Sequence, residues 1–333
     1  MSNYLAPNFR RLPFHIMRCV LKPTLRFHEK IVSIDDSNTK TLVNELKEFQ
    51  DGKSRLIIAF RHPSKHDPAI FMHLIDNRVK KRAKKEGFKL NRLTHAHFVY
   101  GQWILTWTNR TGKWFLPGIG AIPVNNKSKD ISGIKTIREL LVNGKFPIAI
   151  APEGQVTYHN HKCGELESGI ISMASWCKED MLKKGLETPI KIMPITVKYD
   201  YGKNKKREIL KLTTLLNKAL GSDISTATRR IEAELFTLAT INIAEEKYRD
   251  KFNVTLTDSF ETEDRINSLC DSVLKLGEKY FNLPADGTFL NRILTLRESI
   301  SRNMDIPELN VVLNHMEVAD ILEYIDPDYI LDS

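Results

Sequence analysis

Compact apolar runs alternate with amphipathic segments through the first part of the chain. The runs are rich in β-branched and aromatic residues, as buried strands are, and they cover residues 55–60, 146–151 and 190–199. The segments between them carry apolar side chains three and four residues apart, as helices do, over residues 69–85, 131–142 and 166–184. Strands separated by helices predict an α/β domain with a mixed, mostly parallel sheet flanked by helices.

Weaker patterns complete this domain. A helix is predicted over residues 41–50, and short strands are predicted over residues 95–100 and 120–124. Pro194 lies inside the last apolar run and cannot donate a hydrogen bond to a neighbouring strand. We therefore expect that strand to be irregular or to lie at an edge of the sheet.

The pattern changes near residue 203, after which helical spacing prevails. Five segments carry it, separated by clusters of Gly, Pro, Asn or Asp: residues 208–220, 226–248, 261–281, 289–303 and 309–324. We therefore predict three regions. These are an N-terminal basic amphipathic arm and helix over 1–50, the α/β domain over 51–204 and an all-helical extension over 205–333.

The first thirty residues mix basic and bulky apolar side chains. The basic residues of this arm are Arg10, Arg11, Arg18, Lys22, Arg26 and Lys30. Pro13 and Pro23 are expected to cut the arm into short pieces. A basic amphipathic segment of this kind can lie in a membrane interface, or it can pack on the domain as a helical arm. The sequence leaves both interpretations open.

The charge of the chain points to anionic partners. The formal net charge is +9, which favours phospholipid headgroups, an acidic carrier protein or nucleic acid. No run of about 18 apolar residues is present that could span a bilayer, and the N-terminus lacks the order of a signal peptide. We therefore expect a cytoplasmic protein that is peripheral on the cytoplasmic face of a membrane.

His62 and Asp67 form the first chemical signal, written H-x4-D. They follow the strand over 55–60, and loops after parallel strands are where α/β folds bind ligands. A neutral imidazole can remove a proton from a hydroxyl group, and a carboxylate on its other nitrogen can fix the tautomer. Asp67 is also placed to cap the helix that follows. His315 and Asp320 repeat the spacing inside a helical pattern, and we interpret that copy as structural.

Pro152, Glu153, Gly154 and Gln155 follow the strand over 146–151 and form the second signal. A carboxylate delivered by a strand into a loop lies at the edge of the sheet, and Gly154 leaves backbone amides open to a ligand. Pro and Gly are also the usual residues of an ordinary turn, so this motif alone is compatible with a structural role.

Four motifs in this order are more specific than any one of them. They are His62 with Asp67, then residues 120–124 (GAIPV), then Pro152 to Gly154, and then residues 193–195 (MPI). In this order they resemble the glycerolipid acyltransferase family, which includes the glycerol-3-phosphate and 1-acylglycerol-3-phosphate acyltransferases. The resemblance covers roughly residues 50–200 and does not extend to the helical region.

The resemblance implies an O-acyltransferase of phospholipid and glycerolipid metabolism. His62 would activate a hydroxyl of a lipid acceptor and Asp67 would orient it, while acyl-CoA or acyl-carrier protein would donate the acyl group. No cofactor and no metal are expected. The residues that the resemblance assigns to substrate binding are Gly120, Pro123, Glu153, Gly154, Gln155 and Pro194.

Two positions depart from the family pattern. Asn126 and Val156 stand where arginines that hold the phosphate of the acceptor are common, and neither offers a guanidinium. Either local cations replace these arginines, or the acceptor has no phosphate at that place. The cations available near the motifs are Arg61, Lys65, Lys127, Lys129 and Lys162, of which Arg61 and Lys65 are predicted to bind substrate.

Two other functional classes remain as alternatives. A metal-dependent hydrolase is suggested by closely spaced histidines, which are His62 and His66, His95 and His97, and His159 and His161. A non-catalytic protein that binds anionic lipid or nucleic acid is suggested by the basic runs over 80–85 and 203–207. Neither alternative completes an accepted motif. We expect the basic runs to face a membrane surface rather than nucleic acid.

Overall fold

The computed structural model describes most of the chain. The described residues are 4–125, 130–157, 160, 163–164, 166–200, 203–219, 221 and 229–302. The chain divides into two compact units, of which the first comprises Met1–Val156 with Gly164–Val197 and the second comprises Thr157–Cys163 with Lys198–Ser333. The region boundaries drawn from the sequence stay a prediction.

A five-stranded parallel sheet forms the centre of the first unit. In spatial order its strands are β3 (Ile122–Val124), β2 (His97–Gly101), β4 (Ile148–Ile150), β1 (Arg55–Phe60) and β5 (Ile190–Ile195). Every pair of neighbours is parallel, and Ile57 of β1 stands opposite Ile148 on one side and Ile192 on the other. The predicted α/β fold class is confirmed, and β5, with Pro194, is an edge strand.

Helices cover both faces of the sheet and form most of the described part of the second unit. In the first unit they are α1 (Arg11–Pro23), α2 (Lys40–Gln50), α3 (Asp67–His73), α4 (Val79–Lys85), α5 (Ile104–Trp107), α6 (Arg110–Gly118), α7 (Ile131–Asn143) and α8 (Gly169–Leu182). In the second unit they are α9 (Lys203–Ala219), α10 (Arg229–Phe252), α11 (Thr262–Tyr280) and α12 (Phe289–Arg302). The predicted helix over 309–324 lies outside the described residues.

The apolar run of β1 is buried on both faces. Successive side chains of a strand point to opposite sides, so Leu56, Ile58 and Phe60 pack with α2, α3 and α4, while Ile57 packs with α7 and α8. These are the two main hydrophobic clusters of the first unit. Because helices cover both faces, β1 contains no polar alternation, as its sequence predicts.

Residues 11–28 of the N-terminal arm form one continuous helical segment, so the prediction that Pro13 and Pro23 divide the arm is wrong. Pro13 is the third residue of α1, where a helix needs no amide partner. After Pro23, which lacks an amide hydrogen, the chain continues in a wider π-type turn over Thr24–His28. Phe14 of this helix is fully buried, so the arm packs on the domain.

The sequence pattern missed α5 and α6. Gly112 and Pro117 lie inside α6 and weaken the helical signal there. The side chain of Asn109 begins the helix by accepting a hydrogen bond of 2.8 Å from the Gly112 amide. Among the described residues no helix is both long and apolar enough to cross a bilayer.

Candidate active site

The loops that follow β1 and β4 lie side by side at one edge of the sheet. The two strands are parallel neighbours, with Ala59 opposite Ile150 near their carboxyl ends. Because the carboxyl ends of parallel strands share an edge, residues 61–67 and 151–157 leave the sheet at the same place. The fold therefore brings the two main candidate motifs together.

His62 and Asp67 form a hydrogen-bonded pair in the first of these loops. The Nδ1 atom of His62 lies 3.0 Å from Oδ2 of Asp67, and the same oxygen accepts a hydrogen bond of 2.8 Å from the Ser64 amide. The carboxyl group is fully buried, whereas 16% of the His62 side chain is exposed. Because a carboxylate only accepts hydrogen bonds, Nδ1 carries the proton and the lone pair is on Nε2.

Asp67 is the first residue of α3, and His66 before it occupies the cap position without a side-chain cap. The prediction that Asp67 caps the helix is therefore wrong: its carboxylate accepts from His62 and Ser64 instead. The amide of Asp67 donates a 3.0 Å hydrogen bond to the Ser64 carbonyl, which closes the loop. The positive end of the helix dipole also favours a carboxylate at this place.

Glu153 links the two loops. Its Oε2 atom accepts a hydrogen bond of 2.5 Å from the backbone amide of His62. Its Oε1 atom lies 3.4 Å from Nε of Arg61 and 3.2 Å from the amide of Gly164. The side chain is fully buried. Glu153 therefore holds the backbone of His62, a role that the sequence did not indicate.

The residues after Glu153 form a tight turn. Gly154 has a positive φ of 67°, which only glycine adopts at little cost, and its amide donates a 3.1 Å hydrogen bond to the Ala151 carbonyl. Gln155, which follows, is buried. Both residues lie beside the His62 loop, and their predicted contact with substrate stays a prediction.

Three further candidates lie close to this edge. Arg61 pairs with Glu153, so part of its positive charge is already offset within the protein. Lys65 is exposed in the His62 loop. Pro194 is exposed in β5, directly opposite Ala59 of β1. Lys127, Lys129 and Lys162 lie outside the described residues, as do Asn126, His315 and Asp320.

Gly120 and Pro123 lie away from His62. Pro123 is buried in β3, which is three strands, or about 14 Å, from β1. Gly120 precedes β3 and therefore lies near the opposite edge of the sheet, where its carbonyl accepts a 2.8 Å hydrogen bond from Nδ1 of His97. Gly120 has a positive φ of 74°. The assignment of these two residues to substrate binding stays a prediction.

The sequence did not predict one contact of the loop that carries His62. Nδ1 of His66, the residue before Asp67, lies 3.0 Å from Oε2 of Glu29, just after the N-terminal helical segment. Nδ1 of His28 lies 2.8 Å from the other oxygen of the same carboxylate. The hydrogen bond to His28 is the main reason that the pKa of Glu29 is lowered. No local pattern could have predicted a contact between residues so far apart in sequence.

Where the structure describes them, the closely spaced histidines that suggest a metal-dependent hydrolase contact other groups of the protein. Buried His95 lies 3.0 Å from Asp76 through Nδ1 and 2.8 Å from the Ile119 carbonyl through Nε2. Burial lowers the pKa of His97 to about 4. Within the described residues, no group of three or more His, Cys, Asp or Glu side chains could hold a metal ion.

The comparison with protein-family models agrees with the motifs. The family model described as Acyltransferase matches residues 37–198, a stretch that contains all five strands and the His62, Asp67 and Glu153 site. No curated protein and no solved structure matched the chain. The resemblance to the glycerolipid acyltransferases is thereby confirmed over residues 37–198, about half of the chain.

Proposed function

We propose that this chain moves a fatty acyl group from an acyl thioester to a hydroxyl of a glycerolipid or related lipid acceptor, with His62 as the general base. The observation that carries the proposal is the 3.0 Å contact between His62 and buried Asp67 at the carboxyl edge of the sheet. His95 and Asp76 repeat this geometry, but both are buried. The partial exposure of His62 therefore distinguishes a pair that can reach a substrate from one that cannot.

The proposed reaction needs one base and no covalent enzyme intermediate. Nε2 of His62 takes the proton from the acceptor hydroxyl as its oxygen attacks the thioester carbonyl carbon. The new C–O bond forms, the C–S bond breaks, and the departing thiolate takes the proton back from the imidazolium. Asp67 stabilises that imidazolium while it exists. General base catalysis of this kind contributes about 10²–10⁴ in rate.

Glu153 supports this mechanism by holding the backbone of His62. By accepting the amide hydrogen of His62, it fixes the start of the loop whose other end is held by Asp67. A base held at both its backbone and its ring loses little entropy when the acceptor arrives. Glu153 is therefore proposed as a positioning residue in addition to any contact with the acceptor.

The proposed donor is acyl-CoA or acyl-carrier protein, and no cofactor of the protein's own is required. Arg61 is paired with buried Glu153, which reduces its value as a phosphate ligand, and Val156 offers no charge. We therefore favour an acceptor whose phosphate, if it has one, is not held by these two residues.

A transfer assay tests the proposal. Purified full-length protein is incubated with radiolabelled acyl-CoA or acyl-carrier protein and a panel of lysolipids, glycerol-3-phosphate and non-phosphorylated alcohols. We expect a labelled ester with at least one acceptor class. Release of free fatty acid at the same rate with and without every acceptor would instead indicate thioester hydrolysis and overturn the proposal.

A further inference from the structure

The N-terminal helical segment carries three stripes of side chains. One stripe is buried against the domain and contains Phe14, Met17 and Leu25. A second stripe is basic, at spacings of three and four residues, and contains Arg11, His15, Arg18, Lys22 and Arg26. The third stripe is apolar but exposed: Leu12 is 65% exposed, Ile16 42%, Val20 48% and Phe27 69%.

The exposed stripe is a continuous feature and not a scatter of single residues. Leu12, Ile16 and Val20 are four residues apart and lie along one side of α1, and Phe27 is exposed in the π-type turn that continues the segment. The segment from Arg11 to His28 is about 27 Å long at the rise of an α-helix. Scattered exposed apolar residues are normal on a protein surface, but an aligned row of this length indicates an interaction surface.

The charges beside the stripe indicate what covers it. Residues 11–28 contain no acidic residue. Arg11 and His15 also line a cavity of about 620 Å³, together with Arg55, Arg92 and Lys145, and no acidic side chain lines that cavity. A positively charged, partly concave surface next to an apolar stripe complements the phosphates and the acyl chains of an anionic lipid layer.

Arg55 shows that this cavity lacks an internal counter-charge. Its guanidinium donates to the carbonyls of Leu140, Leu141 and Gly144, at the end of α7. These carbonyls lie at the negative end of the α7 dipole and offset part of the charge, but they supply no carboxylate, and burial lowers the pKa of Arg55. An anion in the cavity would therefore meet a desolvated cation whose described partners are neutral.

We propose that this helical face docks on an anionic phospholipid bilayer, with the exposed stripe in the headgroup and acyl boundary and the basic stripe and cavity against lipid phosphates. A second copy of this chain fits the surface less well. An antiparallel pair of such helices would place the two basic stripes side by side, which like charges oppose. An anionic bilayer satisfies both stripes at once.

The docked face also adjoins the candidate active site. Phe27, at the end of the stripe, is two residues from Glu29, whose carboxylate contacts His66 in the loop that carries His62. A lipid acceptor in the bilayer would thus lie near the proposed base. This last point rests on the proposed acyl transfer, whereas the docking itself does not.

Vesicle sedimentation of the full-length protein tests the docking. We expect binding to vesicles of phosphatidylcholine with phosphatidylglycerol, much weaker binding to phosphatidylcholine alone, and a loss of binding at high salt. Leu12→Gln should weaken binding about tenfold, because a large apolar side chain no longer enters the lipid. Leu182→Gln is the matched control, since Leu182 is 56% exposed on α8, and it should bind as the wild type does.

A second pair of variants tests the charges. Arg11→Gln with Lys22→Gln should weaken binding about fivefold for each cation removed. Lys183→Gln with Lys184→Gln removes two exposed cations just after α8, outside both basic runs, and should have little effect. An equal loss in both double variants would overturn the proposal, because it would indicate a diffuse attraction to net charge.

Two other outcomes would also overturn the proposal. One is vesicle binding that Leu12→Gln leaves unchanged. The other is a concentration-dependent dimer in analytical ultracentrifugation that Leu12→Gln abolishes, since a second copy would then cover the stripe. Transfer to a short-chain acceptor below its micelle concentration separates this proposal from the catalytic one: Leu12→Gln should retain that activity even when it no longer binds vesicles.

Discussion

Glu153→Gln probes the link between the two loops most sharply, because it removes a charge without changing the shape of the side chain. Glu153 is buried and accepts from the amides of His62 and Gly164, while Nε of Arg61 lies 3.4 Å away. A glutamine has one carbonyl oxygen, so its NH₂ group must face one of these donors. We expect a loss of transfer rate together with a loss of stability.

The magnitude follows from the groups left unpaired. One buried amide without an acceptor costs about 1–3 kcal/mol, and removing one partner of a buried ion pair costs about 3–5 kcal/mol. Arg61 retains 14% exposure and its contact is 3.4 Å long, so its loss costs less than that, about 1 kcal/mol. We therefore expect the free energy of unfolding of the first unit to fall by about 2–4 kcal/mol.

The chain offers a matched control in Glu278→Gln. Glu278 is also buried and pairs with Arg292 through bonds of 2.7 and 2.8 Å, but it lies in the helical second unit. All four tryptophans lie within residues 103–176, so urea unfolding followed by tryptophan fluorescence reports on the first unit. Glu278→Gln should leave that transition and the transfer rate of the folded protein nearly unchanged.

The two variants together can refute the reasoning. If Glu153→Gln keeps the wild-type unfolding midpoint and transfer rate, Glu153 does not hold His62 in place. If both variants lose the same activity per folded molecule, the effect on catalysis is not specific to the His62 loop.

Three further predictions concern single residues. Asp67→Asn should lower kcat by about 10²–10⁴ because the neutral amide no longer stabilises the imidazolium; a variant with most of the wild-type rate would contradict this. Gly120→Ala should lower the free energy of unfolding by about 1–3 kcal/mol, since φ is +74° and the added Cβ would lie 2.7 Å from Nδ1 of His97; an unchanged melting temperature would contradict it. Burial lowers the pKa of His97 to about 4 from 6.5. The neutral ring therefore contributes roughly 3 kcal/mol of stability above pH 6.5, which is lost as the pH falls through about 4. His97→Gln should flatten this acid limb of the stability curve.

The strand and helix alternation was predictable because it is local. Each apolar run of the α/β domain coincides with a strand, since a strand covered on both faces must be apolar throughout, as Ile57 and Ile58 show. The helix α6, over Arg110–Gly118, was not predictable in the same way. Gly112 and Pro117 weaken its local signal, and packing in the folded unit overrides that weakness.

The site was predictable only in part because its geometry depends on strand order. The sequence identified His62 and Glu153 as residues at the ends of strands, but it does not state that β4 lies next to β1. That adjacency turns Glu153 into the acceptor for the His62 amide. The same strand order separates β3, which Gly120 precedes, from β1 by two strands, although Gly120 belongs to the same series of motifs.

The N-terminal arm shows how the two sequence interpretations can both hold. Phe14 packs on the domain, as the interpretation of a helical arm requires, while Leu12 and Ile16 remain exposed next to basic residues. A pattern of basic and apolar residues cannot reveal which apolar face the domain covers. Only the packed structure separates the buried stripe from the free one.

The most direct measurement of the central claim compares acyl transfer by His62→Ala and His315→Ala under single-turnover conditions. Both histidines begin an H-x4-D sequence, but only His62 is proposed to act as a base. We predict that His62→Ala loses about 10²–10⁴ of the transfer rate with an unchanged melting temperature, while His315→Ala transfers at nearly the wild-type rate. Transfer by folded His62→Ala at the wild-type rate would contradict the assignment of this imidazole.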